Sequence, residues 1–151
     1  MKYQIKRLGS ADLDTIKKLL QMYADAFGYR ADDLPDNAYL QELLDEPDIY
    51  MLAAMGGDKV VGGVTAYALA LTSKEEKELY LYDIAVAEGY RRQGIGSAVV
   101  DELRALATKD GVARIFVDAE SVDVEAVSFY ESIGADSTDV QHFTISMDEA
   151  I

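Results

Sequence analysis

Two arginines and two glycines lie together in one short segment, Arg91-Arg92-Gln93-Gly94-Ile95-Gly96, between an apolar run and a helical pattern. The start of a helix exposes backbone N–H groups and carries partial positive charge, so it attracts anions. Glycines let an anion approach the backbone because they have no Cβ, and arginines add forked donors. The segment therefore predicts a diphosphate site, although a glycine-rich turn with two solvated arginines is the simpler alternative. It has neither the Gly-Lys-Ser/Thr of a nucleotide P-loop nor the spacing of the dinucleotide fingerprint.

Three carboxylates on two neighbouring strands are candidates for a catalytic or substrate-binding role. Asp83 interrupts the apolar run LYLYDIAV, and a core strand has little reason to carry an unpaired carboxylate. The alternative is a carboxylate on a β-bulge that accepts hydrogen bonds from backbone N–H groups. Asp118 and Glu120 end the next strand on one face, where open α/β sheets gather their ligands. Two solvated strand-end carboxylates are the alternative for this pair.

The surrounding elements follow the order β-α-α-β-β-β-α-β-α-β. Ser10 is expected to cap the first helix, Gly62 and Gly63 to mark a bulge or a close approach, and residues 139–147 to form the last strand. Strand-helix-strand crossovers combined with a hairpin predict an α/β (α+β) fold with a single mixed sheet and helices on both faces. A length of 151 residues without repeats or linkers predicts a single domain, residues 1–151.

The chain is strongly acidic, with a formal net charge of −14. This charge argues against nucleic-acid binding and favours a cationic partner, although acidity often serves only solubility. Residues 31–48 and all residues after Arg114 contain no Lys or Arg, so the charge is segregated. No apolar stretch predicts a membrane span or a signal peptide, which favours a cytoplasmic protein. No cysteine and a single histidine, His142, predict that there is no metal site.

Two motifs carry a resemblance to a known superfamily. RRQGIG resembles the R/Q-x-x-G-x-G/A motif of the GNAT acetyl-CoA-dependent N-acetyltransferases. VDVEAVSFYESIGA resembles their late helix, with Asp123 where Asn is usual, and the order of elements agrees across the whole chain. Within the superfamily, the chain is most similar to the aminoglycoside 3-N-acetyltransferases, the gentamicin acetyltransferase group. That similarity lies in FGYRADDLPDNAYLQELL, in ELYLYDIAVAEGYRRQGIGSAVV and in HF near the C-terminus.

The resemblance implies acetyl-CoA as the co-substrate, without a metal. Its arm is expected between two parallel strands that splay apart, residues 78–86 and 113–119. Backbone groups of Ile84, Ala85 and Val86 are expected to pair with its amides, as an added strand would. The implied diphosphate contacts are Arg91, Arg92, Gln93, Gly94, Ile95, Gly96 and Ser97. The implied contacts on the far side of the coenzyme are Asp123, Ala126, Phe129 and Tyr130.

The resemblance also implies direct attack of a neutral amine on the thioester. Asp83 is the predicted general base, and Glu120 is either the base or a ligand of another substrate ammonium. Tyr130 is expected to protonate the departing thiolate, unless it is a core tyrosine packed beside Phe129. The remaining predicted substrate contacts are Asp32, Asp33, Asp36, Tyr82, Asp118 and His142. The three aspartates could instead mark a helix start without a ligand, and the histidine could be structural.

The predicted function is acetyl transfer to an amine of a cationic aminoglycoside, at the 3-N position by resemblance, which gives antibiotic resistance. The protein is expected to be a cytoplasmic homodimer. One alternative keeps the superfamily and changes the acceptor to a polyamine, another small amine or a protein amine. The other alternative is a non-catalytic acyl-CoA sensor. A sensor needs only the arginine and glycine segment, so the presence of Asp83 and Tyr130 favours an enzyme.

Overall fold

A computed structural model describes residues 2–148, in two compact units, Met1–Asp118 and Ala119–Ile151. The first unit contains β1 (Gln4–Arg7), α1 (Leu13–Phe27), a 3₁₀ turn (Ala31–Asp33), α2 (Asn37–Asp45), β2 (Ile49–Gly56), β3 (Lys59–Ala70), β4 (Lys77–Val86), α3 (Ile95–Lys109) and β5 (Val112–Val117). In the second unit, the described residues form one helix, α4 (Val124–Ser132). A single domain over residues 1–151 remains a prediction.

The first unit is built on one mixed sheet with the strand order β1-β2-β3-β4-β5. Neighbouring strands are antiparallel from β1 to β4, whereas β4 and β5 are parallel. The parallel pair is connected by α3, as parallel strands require a crossover. This arrangement confirms the predicted mixed sheet.

The two long helices pack on opposite faces of the sheet. A Cβ added at Gly62 would lie 2.8 Å from Ile95 of α3, and one added at Gly63 would collide with Leu19 of α1. Consecutive strand residues point to opposite faces, so α1 and α3 cover one face each. The two glycines therefore let both helices approach β3, and the register of β2 and β3 also shifts beside them, between Ala54 and Met55. Gly62 and Gly63 are expected to mark a bulge or a close approach, and the structure confirms both.

Each long helix forms because its apolar residues recur at helical spacing. The buried residues of α1 are Ile16, Leu19, Met22, Tyr23 and Ala24, and those of α3 are Ile95, Val99, Val100, Leu103 and Ala107. These stripes face the sheet and pack against it. Within residues 2–148, no helix combines the length and the apolar character that a membrane span needs.

Two sequence predictions about the fold are wrong. Residues 139–147 do not form a strand, and Val140, Phe143, Ile145 and Met147 are 72–90% exposed. Alternating apolar residues indicate which faces a strand would present, but a strand also needs a neighbouring strand, and within residues 2–148 no strand pairs with this segment. The N-cap of α1 is Asp12, not Ser10. The Asp12 carboxylate accepts the N–H of Gly9 (2.8 Å) and pairs with Lys6 (2.7 Å), which holds the chain before the helix.

Candidate active site

The segment that leads from β4 into α3 contains three residues with positive φ, Gly89, Arg92 and Gly94, of which the last two lie closest to the helix. Gly94, the N-cap of α3, has φ +81°, and Arg92 has φ +61°, a conformation that residues other than glycine rarely adopt. The carbonyl of Gly94 accepts the N–H of Ala98 (3.0 Å), the first bond of the helix. The N–H groups of residues 95–97 have no carbonyl one turn earlier in the helix, so they remain available at its start. This geometry is suited to an anion.

The side chains of this segment leave the start of the helix open. Arg91 Nε donates to the carbonyl of Val86 (3.0 Å), and Tyr3 donates its hydroxyl proton to Oε1 of Gln93 (2.8 Å). A Cβ added at Gly94 would meet no atom within 4 Å, and the Arg92 side chain is exposed. The Ile95 side chain is only 2% exposed, so it offers a ligand nothing but its backbone. Free N–H groups, nearby arginines and open space together fit the diphosphate of a coenzyme.

The second half of β4 lacks a neighbour on its β5 side within the first unit. The parallel ladder runs from Lys77↔Val112 to Leu81↔Val117, where β5 ends. β4 continues to Val86, and Ile84, for example, pairs only with Val64 of β3. The strand edge at residues 84–86 therefore offers backbone groups to an extended ligand that carries amides. The family resemblance implies that the arm of acetyl-CoA binds at these same residues.

A β-bulge in β4 determines where the Asp83 side chain points. Thr65 pairs with Asp83 and Ala66 pairs with Leu81, so Tyr82 is the extra residue. Strict alternation after the buried Leu81 would place Asp83 on the α3 face, inside the core. The bulge moves it to the α1 face, where its partner Thr65 contacts the Tyr23 hydroxyl (3.0 Å). The sequence could not reveal this shift, because a bulge depends on how two strands pair.

Asp83 is a half-buried carboxylate. Burial raises its pKa above that of an ordinary aspartate, and within residues 2–148 no hydrogen bond to the carboxylate is found. The alternative that it caps backbone N–H groups at a bulge is therefore not supported, although the bulge is present. Burial raises the pKa of Tyr23, Tyr29 and Tyr67, and the Asp83 charge raises each further. Asp83 thus lies among tyrosines from α1, from the segment after it and from β3.

Aromatic rings extend from Asp83 towards β5. The Tyr82 ring makes T-shaped contacts with the rings of Tyr67 (5.7 Å between centroids) and Tyr80 (5.5 Å). Tyr80 stacks on Phe116 (4.6 Å, 8° between planes), and its hydroxyl donates to Oδ2 of Asp118 (2.7 Å). The hydrogen bond to this carboxylate and burial together raise the pKa of Tyr80 to about 12, so its proton stays on the phenol. We refer to Tyr67, Tyr80, Tyr82 and Phe116 as the aromatic cluster.

The three predicted acidic contacts before α2 have different surroundings. Asp32 accepts two hydrogen bonds from Arg30 (2.7 and 3.1 Å), which hold its pKa below the usual value. Asp36 is the N-cap of α2 and accepts the N–H of Tyr39 (3.0 Å). Asp33 is exposed in the 3₁₀ turn. Asp36 therefore caps α2, in agreement with the alternative that these aspartates mark a helix start.

The second unit carries the remaining predicted residues. Asp123 is the N-cap of α4, and its Oδ1 accepts the N–H of Ala126 (3.1 Å). The rings of Phe129 and Tyr130 meet edge-on (5.3 Å between centroids), and burial and then the Asp123 charge raise the pKa of Tyr130. Glu120 is exposed ahead of this helix.

His142 is also exposed, in a segment without regular structure. Within residues 2–148, no three side chains of the metal-binding types come together.

A cavity of about 550 Å³ lies at the opposite end of the sheet, where β4 begins. Its cationic residues are already engaged. Arg7 lies over the Tyr50 ring (4.0 Å) and near Asp110 (3.8 Å), and Lys77 pairs with Asp48 (2.7 Å). β4 contains ten residues at about 3.3 Å each, so this cavity lies far from residues 84–86. We assign it a structural role.

Sequence reasoning missed most of the aromatic residues near Asp83. It named Tyr82, but not Tyr29, Tyr67, Tyr80 or Phe116. One signal was available, because the alternation in LYLYD places two tyrosines on one face of a strand. The others come together only through the pairing of β3, β4 and β5.

Residues 16–135 match the model of the Acetyltransferase (GNAT) family. The chain therefore belongs to the GNAT family of acetyltransferases, whose members use acetyl-CoA.

Among solved structures, it is similar to an aminoglycoside acetyltransferase from an uncultured soil metagenomic sample, in complex with sisomicin (TM-score 0.93, 31% identity, 97% of each chain covered). A second aminoglycoside acetyltransferase from such a sample, HMB0005, gives a TM-score of 0.92 at 31% identity, over 98% of this chain and 100% of the other.

Curated relatives match over shorter segments. The ribosomal protein bS18-alanine N-acetyltransferase of Escherichia coli strain K12 is 36% identical over 67 residues, 44% of this chain and 45% of its own length. N-acetyltransferase 8 of Homo sapiens is 31% identical over 88 residues, 58% of this chain and 39% of its own. The match thus spans less than half the length of each of these relatives.

Proposed function

We propose that the protein transfers the acetyl group of acetyl-CoA to an amino group of an aminoglycoside, at the 3-N position, and so confers antibiotic resistance. The observation that carries this proposal is Asp83, a half-buried carboxylate of raised pKa among tyrosines on the α1 face of the sheet. A negative charge held there attracts a cationic acceptor. The likeness over the full chain to two aminoglycoside acetyltransferases supports the same acceptor class.

Two sets of residues in the first unit are proposed to bind the coenzyme. The N–H groups at the start of α3, with Arg91 and Arg92, would hold the coenzyme's diphosphate. Ile84, Ala85 and Val86 would pair with its amides, and one N–H in this run would stabilise negative charge that develops on the acetyl oxygen. Acetyl-CoA, when bound, supplies an acetyl group on a thioester.

Asp83 would accept a proton from the acceptor's ammonium group. The neutral nitrogen then has a lone pair with which to form the new amide bond, while the bond between carbon and sulfur breaks. A carboxylate of raised pKa is a stronger base than an ordinary aspartate, which suits this step. By the resemblance of its helix, we propose that Tyr130 donates a proton to the departing sulfur. The second proton that the nitrogen loses as the amide forms passes through solvent and restores the Tyr130 phenol, while the first stays on Asp83 until it is released. Asp118 and Glu120 are proposed to bind further ammonium groups.

Thiol release from acetyl-CoA tests the proposal, with gentamicin, sisomicin, spermidine and an alanine-terminated peptide as acceptors. Preferred turnover of the aminoglycosides would support it, and NMR of the product would identify the acetylated nitrogen. Preferred turnover of the peptide would favour the second candidate, for which the match to the bS18-alanine enzyme argues. Coenzyme binding without thiol release in any mixture would leave a sensor. Light scattering tests the expected homodimer, and cell fractionation tests the expected cytoplasmic location.

A further inference from the structure

We propose that Tyr82, supported by the rest of the aromatic cluster, is a stacking subsite for the ring of an amino sugar. In this subsite one face of the ring lies on Tyr82, and its ammonium groups reach Asp83 and Asp118. The inference rests on the proposed function and narrows the acceptor class, because it requires cyclic amines to bind better than linear ones. It therefore makes Tyr82 a residue that determines specificity.

Tyr82 is an aromatic residue that the fold does not bury. It is 60% exposed, and it is the extra residue of the bulge, one position beyond the last pair that β4 forms with β5. Its ring makes T-shaped contacts with Tyr67 and Tyr80, and Tyr80 is in turn fixed by stacking on Phe116 and by its hydrogen bond to Asp118. A tyrosine fixed in this way offers a large contact area, and binding costs little conformational entropy.

The charges around Tyr82 determine which ring it suits. Asp83 follows directly in the same bulge, and Asp118 accepts the Tyr80 hydroxyl at the other side of the cluster. In an amino sugar, the C–H groups beside an ammonium carry part of its positive charge, so they are attracted to the negative π face. An uncharged sugar would lack the ion pairs, and a linear polyamine would lack a ring face. An amino-sugar ring meets both conditions.

Calorimetric titration of the full chain with sisomicin and with spermidine tests this inference without turnover. Tyr82→Leu removes the π face and keeps apolar volume, whereas Tyr82→Phe keeps the ring. We expect Tyr82→Leu to raise the Kd for sisomicin about tenfold and that for spermidine much less. The aromatic substitution should restore most of the sisomicin affinity. Leu69→Ala is the matched control, because Leu69 is also exposed (42%), near the far end of β3, and should leave both affinities as they are.

The outcomes separate this inference from the proposed function. If Tyr82→Leu weakens sisomicin and spermidine binding by the same factor, the stacking subsite is overturned. It is also overturned if Tyr82→Phe weakens sisomicin binding as much as Tyr82→Leu does. If the wild-type protein acetylates sisomicin while Tyr82→Leu binds it normally, the subsite is refuted and the proposed function stands. If the wild-type protein neither binds nor acetylates sisomicin, both proposals fail together.

Discussion

The turn before α3 and the face around Asp83 are built by different means. The turn uses backbone N–H groups, and its geometry follows from residues that are adjacent in the sequence, such as Arg92 and Gly94. The face uses side chains from α1, β3, β4 and β5, and Asp83 reaches it only through a bulge. The comparison indicates that changes in the turn should affect coenzyme binding, whereas changes at the face should affect the acceptor and the chemistry.

The largest effect is expected from Asp83→Asn. This change removes the proposed base and keeps the size of the side chain, so turnover should fall by about 10²–10⁴-fold while the Kd for acetyl-CoA stays nearly the same. Steady-state thiol release and calorimetry measure the two quantities. Asp101→Asn, an exposed change on α3, is the control and should leave both unaltered. Full turnover in Asp83→Asn would exclude Asp83 as the base. A large loss of coenzyme affinity would show that residues around Asp83, and not only the turn before α3, affect coenzyme binding.

The next largest effect, a loss of acetyl-CoA affinity, is expected from Gly94→Ala. Gly94 has φ +81° and open space around it, and Gly28, the C-cap of α1, has φ +80° and similar space. Alanine at either position should therefore cost about 1 kcal/mol of unfolding free energy. Only Gly94→Ala should also raise the Kd for acetyl-CoA, by about tenfold, because it disturbs the start of α3. Equal coenzyme affinities in the two variants would show that the conformation of the turn is not needed.

Tyr130→Phe should have a weaker effect on turnover than Asp83→Asn. A thiolate is a fair leaving group, so loss of the proposed proton donor should reduce kcat by about three- to tenfold and leave the KM for acetyl-CoA nearly unchanged. The pKa of Tyr130 is raised, so the alkaline limb of the wild-type rate profile should lie above the ordinary range for tyrosine and should vanish in the variant. An alkaline limb that persists in Tyr130→Phe would assign it to another group.

The smallest effect concerns stability. The folded state disfavours the Asp83 charge, because burial raises the pKa above the unfolded value. Between the unfolded and the folded pKa, the folded state binds more protons, so this group makes stability fall as pH rises. Asp83→Asn should therefore be more stable than the wild type at pH 7, by less than about 1 kcal/mol given partial solvent exposure, and should lose that advantage near pH 3. Thermal melts at both pH values measure this difference, and an Asn variant that is less stable at pH 7 would contradict it.

Much of the fold could be predicted from local patterns. The helical spacing of apolar residues predicted α1 and α3, and the paired glycines in β3 predicted the close approach of helices. The predicted last strand failed because alternation cannot supply a partner strand. The Ser10 cap failed because the helix begins only at Leu13, so Asp12 occupies the cap position and its carbonyl accepts the N–H of Ile16.

The candidate site was predictable to the extent that it is local. The turn before α3 follows from the types and order of six neighbouring residues, whereas its binding of an anion stays a prediction. Asp83 stands out in the sequence as a charge in an apolar run. The aromatic cluster was not predictable, because its members come from three strands that meet only in the folded sheet. The sheet face on which the Asp83 side chain lies was not predictable either, because one extra residue in a strand moves the following side chains to the opposite face.

The positive φ of Arg92 has a consequence for laboratory evolution. An L-residue in that conformation costs the folded state about 1 kcal/mol relative to glycine. A library screened for heat resistance alone would therefore enrich glycine at this position. We propose that Arg92 binds the diphosphate, so the enriched Arg92→Gly variants should bind acetyl-CoA more weakly. Selection for thermal stability would then reduce coenzyme affinity through one codon.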